Sequence, residues 1–325
     1  MTSNPWTTAN IPHQSGAVAI VTGSSSGIGY ETARVLANKG AETIIAVRNL
    51  DKGNAAAQKI KNQNPNVIVR VMKLDLASLA SIERFATDFA DGHSRLDRLI
   101  NNAGVMIPPY SKTADGYELQ FGTNHLGHFA VTARLMDLLE RTPNARIVNV
   151  SSSAHRFGRI DFEDLNWEKR SYKPWRAYGD SKIANLYFTY ELDRRLKASG
   201  SEVAVTASHP GWTATELQRH TSSTQFFNGF LAQDISMGAL PTLRAAYDES
   251  AKGGEFYGPR GFMELRGYPV EVNSNTLSKD HTIAAQLWSV SEELTGGRFD
   301  AGRASSHAPA ASAPPLAIRP SISLT

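Results

Sequence analysis

The feature that most limits the fold of this 325-residue chain is an alternation of short apolar runs with longer segments of helical periodicity. The apolar, β-branched runs predict strands at residues 17–22, 42–47, 67–74, 95–101, 145–151 and 202–208. Helical periodicity separates these runs at residues 27–39, 51–63, 78–91, 115–140 and 177–199. Asp51, Ser78 and Asp115 stand where helix N-caps are expected. This order predicts an α/β fold with a single Rossmann-type, doubly wound parallel sheet and helices on both faces.

The regular alternation ends at residue 208, where a long connection rich in Pro, Gly and aromatic residues begins. We expect a substrate lid at about 210–235, because long connections in compact domains are often binding loops. A helix near 236–249, a strand within 254–258 and a helix near 280–294 complete the pattern. The chain is interpreted as an N-terminal extension (1–15), one domain (16–296) and an Ala/Ser/Pro-rich tail (297–325) that is predicted to be disordered.

Composition excludes several classes of protein. The 34 basic and 31 acidic residues include no long Lys/Arg cluster, so no nucleic-acid partner is expected. The chain has no cysteine, which excludes disulfides, thiolate metal sites and cysteine catalysis. The N-terminus lacks the features of a secretory signal, and no window has the ~18–20 apolar residues of a membrane span. We therefore expect a cytoplasmic protein.

The segment VTGSSSGIG, residues 21–29, joins the first predicted strand to the first predicted helix. At this place Gly23 permits a sharp turn, Gly27 permits close approach of a phosphate, and Gly29 permits close packing of helix on sheet. The free N–H groups at the start of the helix would face a pyrophosphate. The segment therefore predicts a dinucleotide site at the end of the first strand.

Tyr178 and Lys182 lie four residues apart in a segment of helical periodicity, so both side chains leave the same helix face. A free phenol titrates near pH ~10, and a nearby cation lowers that pKa. A surface pair would have the same spacing. However, this pair follows the fifth predicted strand in a chain that also has the glycine-rich turn. We therefore interpret Tyr178 as an acid/base group whose pKa Lys182 lowers.

The spacing T-G-x-x-x-G-I-G resembles that of the short-chain dehydrogenase/reductase family. Further family motifs follow in the family's order: LDLASL (74–79), NNAG (101–104), VSS (150–152) and the Tyr178–Lys182 pair, so that the resemblance covers residues 15 to 295. The stretches AVRNLDKG, TNHLGHF, VNVSSSAH and LWSVSEELTG are similar to the branch that contains retinol dehydrogenases and protochlorophyllide reductases.

The resemblance implies a catalytic set of Asn124, Ser152, Tyr178 and Lys182. In it, Ser152 hydrogen-bonds the substrate oxygen, Tyr178 exchanges a proton with that oxygen, Lys182 also holds the nicotinamide ribose, and Asn124 holds a water that links Lys182 to solvent. The 26-residue gap from Ser152 to Tyr178 is long for the wider family but similar to that of the retinol dehydrogenase branch. Ser151 and Ser153 flank Ser152, so an assignment shifted by one position stays open.

The resemblance also implies the residues that contact the cofactor. They are Thr22, Gly23, Ser25, Ser26, Gly27, Ile28, Gly29, Arg48, Asp75, Leu76, Asn102, Ala103, Gly104, Tyr178, Lys182, Pro210, Gly211, Thr213 and Thr215.

The end of the second strand indicates which dinucleotide is bound. Val47 stands where NAD-binding folds place an Asp or Glu on the ribose, and Arg48 follows it. A guanidinium can bind a 2′-phosphate through two hydrogen bonds. NADP(H) is therefore predicted and NAD is less favoured, although Ser26 stands where the family has a second basic marker.

The predicted function is NADP(H)-dependent interconversion of a lipophilic aldehyde or ketone and its alcohol. A non-catalytic NADP-binding sensor or scaffold is an alternative. So is a protochlorophyllide-type double-bond reductase, although that group carries an active-site cysteine. The family helix at 177–199 often pairs between subunits, so a homo-oligomer also stays open.

Some conspicuous residues are given other roles. His125 and His128 lie three apart, but further ligands at recognised spacing are absent from the sequence, so no metal site is expected. An apolar stripe (Phe226, Phe227, Phe230 and Leu231) is interpreted as packing under the lid or a subunit contact, with a lipophilic substrate wall or a membrane-surface contact as alternatives. Trp175 and Trp212 are candidates for lining the same pocket.

Overall fold

A computed structural model describes residues 4–213 and 233–299. Its centre is an eight-stranded sheet in the order β3-β2-β1-β4-β5-β6-β7-β8. The strands are β1 (Val18–Thr22), β2 (Glu42–Val47), β3 (Val69–Lys73), β4 (Arg98–Asn101), β5 (Arg146–Val150), β6 (Ala204–Ser208), β7 (Phe256–Pro259) and β8 (Pro269–Glu271). Strands β1 to β7 run parallel, and β8 pairs antiparallel with β7. The predicted doubly wound fold is confirmed.

The helices pack on both faces of this sheet. They are α1 (Gly27–Asn38), α2 (Leu50–Gln63), α3 (Leu79–Gly92), α4 (Leu119–Phe121), α5 (Gly127–Arg141), α6 (Pro174–Ser199), α7 (Ile235–Tyr247) and α8 (His281–Thr295). One core joins the sheet to α3, α5 and α6 and is centred on Phe85, Phe89 and Phe129. The other core joins it to α1, α2 and α7 through residues such as Leu36 and Leu243. None of the helices within the described ranges is both long and apolar enough to cross a bilayer.

Two of the three predicted N-caps are wrong. Helix α2 begins one residue earlier than expected, and the side chain of Asn49, rather than Asp51, accepts the capping hydrogen bond. Before α4 the cap is Glu118, because its carboxylate accepts hydrogen bonds from the backbone of Gln120 and Phe121. The Asp115 carboxylate instead accepts the N–H of Leu79 at the start of α3, 2.9 Å away. Ser78 caps α3 as predicted.

The C-terminal helix α8 packs along α6. Trp288 contacts Phe129 and Phe188 with ring centroids 5.1 and 6.1 Å apart. Phe299 lies within the predicted tail but stacks on Trp288 at 4.6 Å, so the packed chain continues at least to this residue.

The order of the strands places a topological switch point at β1. Strand β2 pairs with one side of β1 and β4 with the other, so the chain leaves β1 and β4 toward opposite sides. In open α/β sheets, ligands bind in the crevice at the carboxyl ends of strands at such a point. The glycine-rich turn after β1 and the Asn102–Gly104 segment after β4 both lie there.

Candidate active site

The glycine-rich turn packs directly against the segment that follows β4. Gly23 has a φ of +66°, and a Cβ there would lie 2.8 Å from the Cα of Ala103. A Cβ on Gly29 would lie 2.5 Å from the side-chain nitrogen of Asn102 and 2.6 Å from the carbonyl oxygen of Gly23. Only glycine therefore allows these two segments to meet at this distance.

Thr22 lies beneath this junction and is fully buried. Its hydroxyl accepts hydrogen bonds from the backbone N–H groups of Asn102 and Ala103, both at 2.9 Å. The side chain of Asn102 in turn donates to the Thr22 carbonyl at 2.8 Å. Thr22 therefore shapes the floor of the site by joining the ends of β1 and β4.

A cleft of about 800 Å³ opens above this junction. Its wall includes twelve of the residues implied by the family resemblance: Gly23, Ser25, Ser26, Gly27, Ile28, Gly29, Arg48, Asp75, Leu76, Asn102, Ala103 and Gly104. The cleft also has wall residues that we did not predict, and they include Asn49, Lys52, Lys73, Val105 and Thr123.

The start of α1 suits the phosphates of a dinucleotide. The first N–H groups of any helix have no partner within the helix. The side chain of the N-cap residue, Ser26, makes no capping hydrogen bond, and Gly27, Ile28 and Gly29 line the cleft. Backbone donors at a helix N-terminus favour an anion. The cleft therefore fits the pyrophosphate of a nicotinamide dinucleotide by its size and its donors.

Basic side chains surround the end of β2. Arg48, Lys52 and Lys73 all line the cleft and are exposed. Lys73 ends β3 at the position paired with Val47, and its ammonium donates to the carbonyl oxygen of Arg48. The sequence could have indicated Lys73 as a cleft residue. It ends the strand that follows β2, and the ends of neighbouring parallel strands meet at one edge of the sheet.

Asn124 and Lys182 do not line the cleft but lie directly behind Gly104, which does. A Cβ on Gly104 would lie 3.1 Å from Asn124 Oδ1 and 3.5 Å from Lys182 Nζ. Asn124 sits in a π-helical turn, Gly122–Leu126, between α4 and α5, and such turns are frequent at functional sites. Its side chain exchanges two hydrogen bonds with the backbone of Val105 and donates to Ser181. Asn124 therefore braces the wall of the cleft beside Lys182.

Tyr178 and Lys182 lie on the same face of α6 and are both buried. The ammonium nitrogen of Lys182 is 5.6 Å from the centre of the Tyr178 ring and donates to the carbonyl oxygen of Val150 at 3.1 Å. The phenol of Tyr178 interacts with the side chain of Ser152. The structure thus brings together the predicted serine, tyrosine and lysine.

The sequence predicts that Lys182 lowers the pKa of Tyr178, and this prediction is wrong. Burial raises the pKa of Tyr178 to about 12, and the interaction with Ser152 only partly opposes this effect. Burial also lowers the pKa of Lys182 to about 8. Removal from water disfavours the charged forms of both groups, and in this chain that effect exceeds the attraction between a phenolate and an ammonium.

The neighbouring serines are distinguished by their contacts. Ser151 is buried, and its hydroxyl donates to the carbonyl oxygen of Lys182 at 2.7 Å. The Ser152 hydroxyl accepts the N–H of Ala154 as the N-cap of the short 3₁₀ turn Ser153–Phe157, and it interacts with the phenol of Tyr178. This geometry favours Ser152 over Ser151 as the serine that faces a substrate.

The segment after β6 approaches the same end of the site. Gly211 has a φ of +64°, and the Thr213 hydroxyl donates to the carbonyl oxygen of Pro210 at 2.9 Å. The structure places Thr213 against Gly238 of α7, where a Cβ would be 2.4 Å from its hydroxyl oxygen. Thr215 and the apolar stripe at Phe226, Phe227, Phe230 and Leu231 lie outside the described residues.

The two discounted histidines have buried hydrogen-bond partners. His125 Nε2 is 2.9 Å from the Ser291 hydroxyl, and His128 Nε2 is 3.0 Å from the Thr22 hydroxyl. Burial lowers the pKa of His125 to about 3 and that of His128 to about 4, so both are neutral. Within the described ranges, no group of three or more His, Cys, Asp or Glu side chains could hold a metal ion.

The doubly wound sheet, the cleft at its switch point and the group formed by Ser152, Tyr178 and Lys182 define a nicotinamide-dependent oxidoreductase. A family model described as short chain dehydrogenase matches residues 17–225. The chain belongs to the short chain dehydrogenase family, whose members bind a nicotinamide cofactor and act on small molecules.

Known relatives and solved structures agree with this membership. Retinol dehydrogenase 13 from Homo sapiens is 42% identical over 299 residues, covering 89% of this chain and 86% of the relative. Retinol dehydrogenase 12 from Homo sapiens is 43% identical and covers 88% of each chain. An uncharacterized protein from Mycobacterium paratuberculosis superimposes with a TM-score of 0.78 at 44% identity, covering 91% of this chain and 99% of that chain. A Pseudomonas aeruginosa RhlG/NADP complex has a TM-score of 0.60 at 25% identity, with coverage of 74% and 95%. The chain therefore belongs to the retinol dehydrogenase-like branch.

Proposed function

We propose that the chain is an NADP(H)-dependent oxidoreductase that interconverts a lipophilic aldehyde or ketone and its alcohol. The observation that carries this proposal is the position of Tyr178. Its phenol interacts with Ser152, its ring lies against Lys182, and the Lys182 ammonium lies behind Gly104, which lines a dinucleotide-sized cleft.

The residues of the site have separate roles in the proposed reaction. The nicotinamide, when bound, supplies the hydride. Ser152 donates a hydrogen bond to the carbonyl oxygen and stabilises the negative charge that develops there. Tyr178 donates its phenolic proton to that oxygen. Lys182 stabilises the resulting phenolate and holds the ribose, while a water beside Asn124 returns the proton.

The raised pKa of Tyr178 favours the reductive direction. With a pKa of about 12 the phenol is protonated at neutral pH and is ready to donate. Alcohol oxidation requires the phenolate instead, which burial disfavours. We therefore infer that carbonyl reduction is the faster direction near neutral pH.

A lipophilic substrate is supported by two observations. The relatives that cover most of the chain are named retinol dehydrogenases. In addition, three exposed apolar residues lie within two positions in sequence of Arg156 or Glu264, which form an ion pair: Phe157, Phe262 and Met263 are 61%, 84% and 70% exposed. We propose that these side chains contribute to an apolar entrance to the substrate site.

Turnover with a substrate panel tests the proposed function. We expect NADPH consumption with apolar aldehydes and ketones and little consumption with small, polar carbonyl compounds. Tight NADPH binding without turnover of any carbonyl compound would contradict the proposal and indicate a sensor or scaffold.

Arg48→Ala tests the choice of dinucleotide. We expect the affinity for NADPH to fall about 10- to 100-fold, since a hydrogen bond to a charged group contributes about 1.5–3 kcal/mol. The affinity for NADH should change less than about threefold, because NADH lacks the 2′-phosphate that Arg48 is proposed to bind. Fluorescence titration of both cofactors measures the effect, and Arg84→Ala, an exposed arginine on α3, is the control. Equal affinities of the wild type for NADH and NADPH, unchanged in Arg48→Ala, would contradict the assignment.

A further inference from the structure

A strained turn stands beside the active site. The turn Phe262–Glu264 connects β7 to β8, and both Met263 (φ 52°) and Glu264 (φ 57°) adopt left-handed backbone conformations. Neither residue is a glycine, and such conformations cost about 1–3 kcal/mol each. Surrounding contacts must therefore hold Glu264 in place.

The contacts of the Glu264 carboxylate reach two other loops. One oxygen is 3.0 Å from Nε2 of His209, and the other accepts a hydrogen bond from Arg156 at 2.9 Å. His209 follows β6, and Arg156 belongs to the 3₁₀ turn after β5. Burial raises the pKa of Glu264, but the two hydrogen bonds lower it by more. The pKa of Glu264 therefore lies below its ordinary value, and the carboxylate is charged at neutral pH.

The His209 contact determines which ring nitrogen carries the proton. The N–H of Gly211 donates to Nδ1 at 3.3 Å, so Nδ1 must be an acceptor in the neutral ring. Nε2 then carries the hydrogen and donates it to Glu264. His209 is fully buried, and a Cβ on Gly258 would lie only 2.1 Å from its Nε2, so the ring occupies space that only a glycine at position 258 leaves free. Glu264 thereby fixes the ring that supports the backbone of Gly211.

The Arg156 contact reaches the serine side of the site. Arg156 lies in the 3₁₀ turn that Ser152 caps, and the Ser152 carbonyl oxygen is 2.6 Å from Nδ1 of His155 in the same turn. The Arg156 side chain is 44% exposed, so we expect this ion pair to contribute less than the buried contact with His209.

We propose that Glu264 is a positioning residue that holds the loops after β5 and β6 at a fixed separation. It sets the distance between Ser152, which is proposed to bind the carbonyl oxygen, and Gly211, which the family resemblance places among the cofactor contacts. This inference rests on the proposed function. It also gives the strain of the turn a purpose, since a relaxed turn would move the carboxylate away from His209.

Glu264→Ala and Glu264→Gln separate positioning from simple stability. Glutamine can still accept from His209 but provides no charge for Arg156, whereas alanine removes both contacts. In a nitrogen-15 spectrum of the imidazoles, the wild type should show a slowly exchanging Nε2–H of His209. That resonance should persist in Glu264→Gln and be lost in Glu264→Ala. Its persistence in Glu264→Ala would overturn the proposal.

Kinetics provide the second readout. We expect Glu264→Ala to lower kcat for carbonyl reduction about 10- to 100-fold, because small displacements of reacting groups cost rates of this order. The Kd for NADPH should stay within about threefold of the wild type, and Glu264→Gln should keep most of the activity. The exposed Glu271, on β8, gives the matched control Glu271→Ala. Wild-type kcat in Glu264→Ala, or equal losses in the alanine and glutamine variants, would overturn the proposal.

A variant that does not fold and a wild type without activity have different consequences for the proposal. If Glu264→Ala does not fold, Arg156→Ala tests the weaker arm: kcat should fall about threefold with the His209 resonance retained, and an unchanged kcat would overturn the bridging role. If the wild type reduces no carbonyl compound, the proposed function fails, whereas the His209 resonance still decides whether Glu264 holds that ring.

Discussion

Tyr178→Phe is expected to lower kcat for carbonyl reduction about 10³-fold or more while NADPH binds with nearly wild-type affinity. General acid catalysis by a positioned side chain contributes about 10²–10⁴-fold, and phenylalanine cannot donate the proton. The ring that packs beside Lys182 is retained, and the cleft beyond Gly104 is not changed by the loss of one oxygen atom. Steady-state turnover and a cofactor titration on the same preparation measure the two quantities.

Tyr190→Phe is the matched control for this variant. Tyr190 lies on the same helix, and its partly buried hydroxyl donates to Ser274 at 2.8 Å. Its removal should cost about 1 kcal/mol of unfolding free energy and leave kcat unchanged. A Tyr178→Phe variant with near-normal kcat would show that another group supplies the proton.

Lys182→Met is expected to impair both turnover and cofactor binding. Methionine fills a similar volume but provides no charge for the phenolate that forms at Tyr178 and no donor for a ribose hydroxyl. We expect kcat to fall about 10²-fold or more, an effect similar to the loss of one donor in an oxyanion hole. The Kd for NADPH should rise about tenfold, since a hydrogen bond to a charged group is lost. Lys252→Met, at an exposed position in the turn before β7, is the control.

The pH dependence of reduction gives an independent check on Lys182. Burial lowers the pKa of Lys182 to about 8, so the ammonium loses its proton as the pH rises through this value. The rate of reduction should therefore be highest below pH 8 and decrease above it. Lys182→Met should lack this decrease. A wild-type rate that rises between pH 7 and 9 would exclude protonated Lys182 from the reductive step.

Most of the sheet could be predicted because buried parallel strands have nearly continuous apolar runs in the sequence. Strands β1 and β2 were placed to within one residue on this basis, since they are buried along nearly their whole length. The three residues of β8 were missed. They begin with a proline and pair only at the sheet edge, so they carry no pattern of alternation.

The helix starts were less predictable, since several polar residues near a helix start can serve as caps. Asn49 and Asp51 both precede the apolar face of α2, and only the backbone geometry decides between them. The π-helical turn around Asn124 could not be predicted, because residues 115–140 read as one helical pattern.

Electrostatics were the least predictable part of the site. The sequence spacing correctly indicated that Tyr178 and Lys182 share a face of α6, but it contains no information on how deeply they are buried. That burial decides the direction of both pKa changes. Glu264 was missed for a related reason, since it lies 55 residues from His209 and no local pattern joins them.

Transfer of a labelled hydride tests the proposed reaction most directly. NADPH that carries deuterium at the reactive position of its nicotinamide is mixed with the enzyme and an apolar aldehyde or ketone, and the alcohol is analysed by mass spectrometry. We predict one deuterium atom on the former carbonyl carbon of the product, with about 10³-fold less labelled product from Tyr178→Phe in the same time. An unlabelled alcohol, or no alcohol from any carbonyl compound of the panel, would contradict hydride transfer at this site.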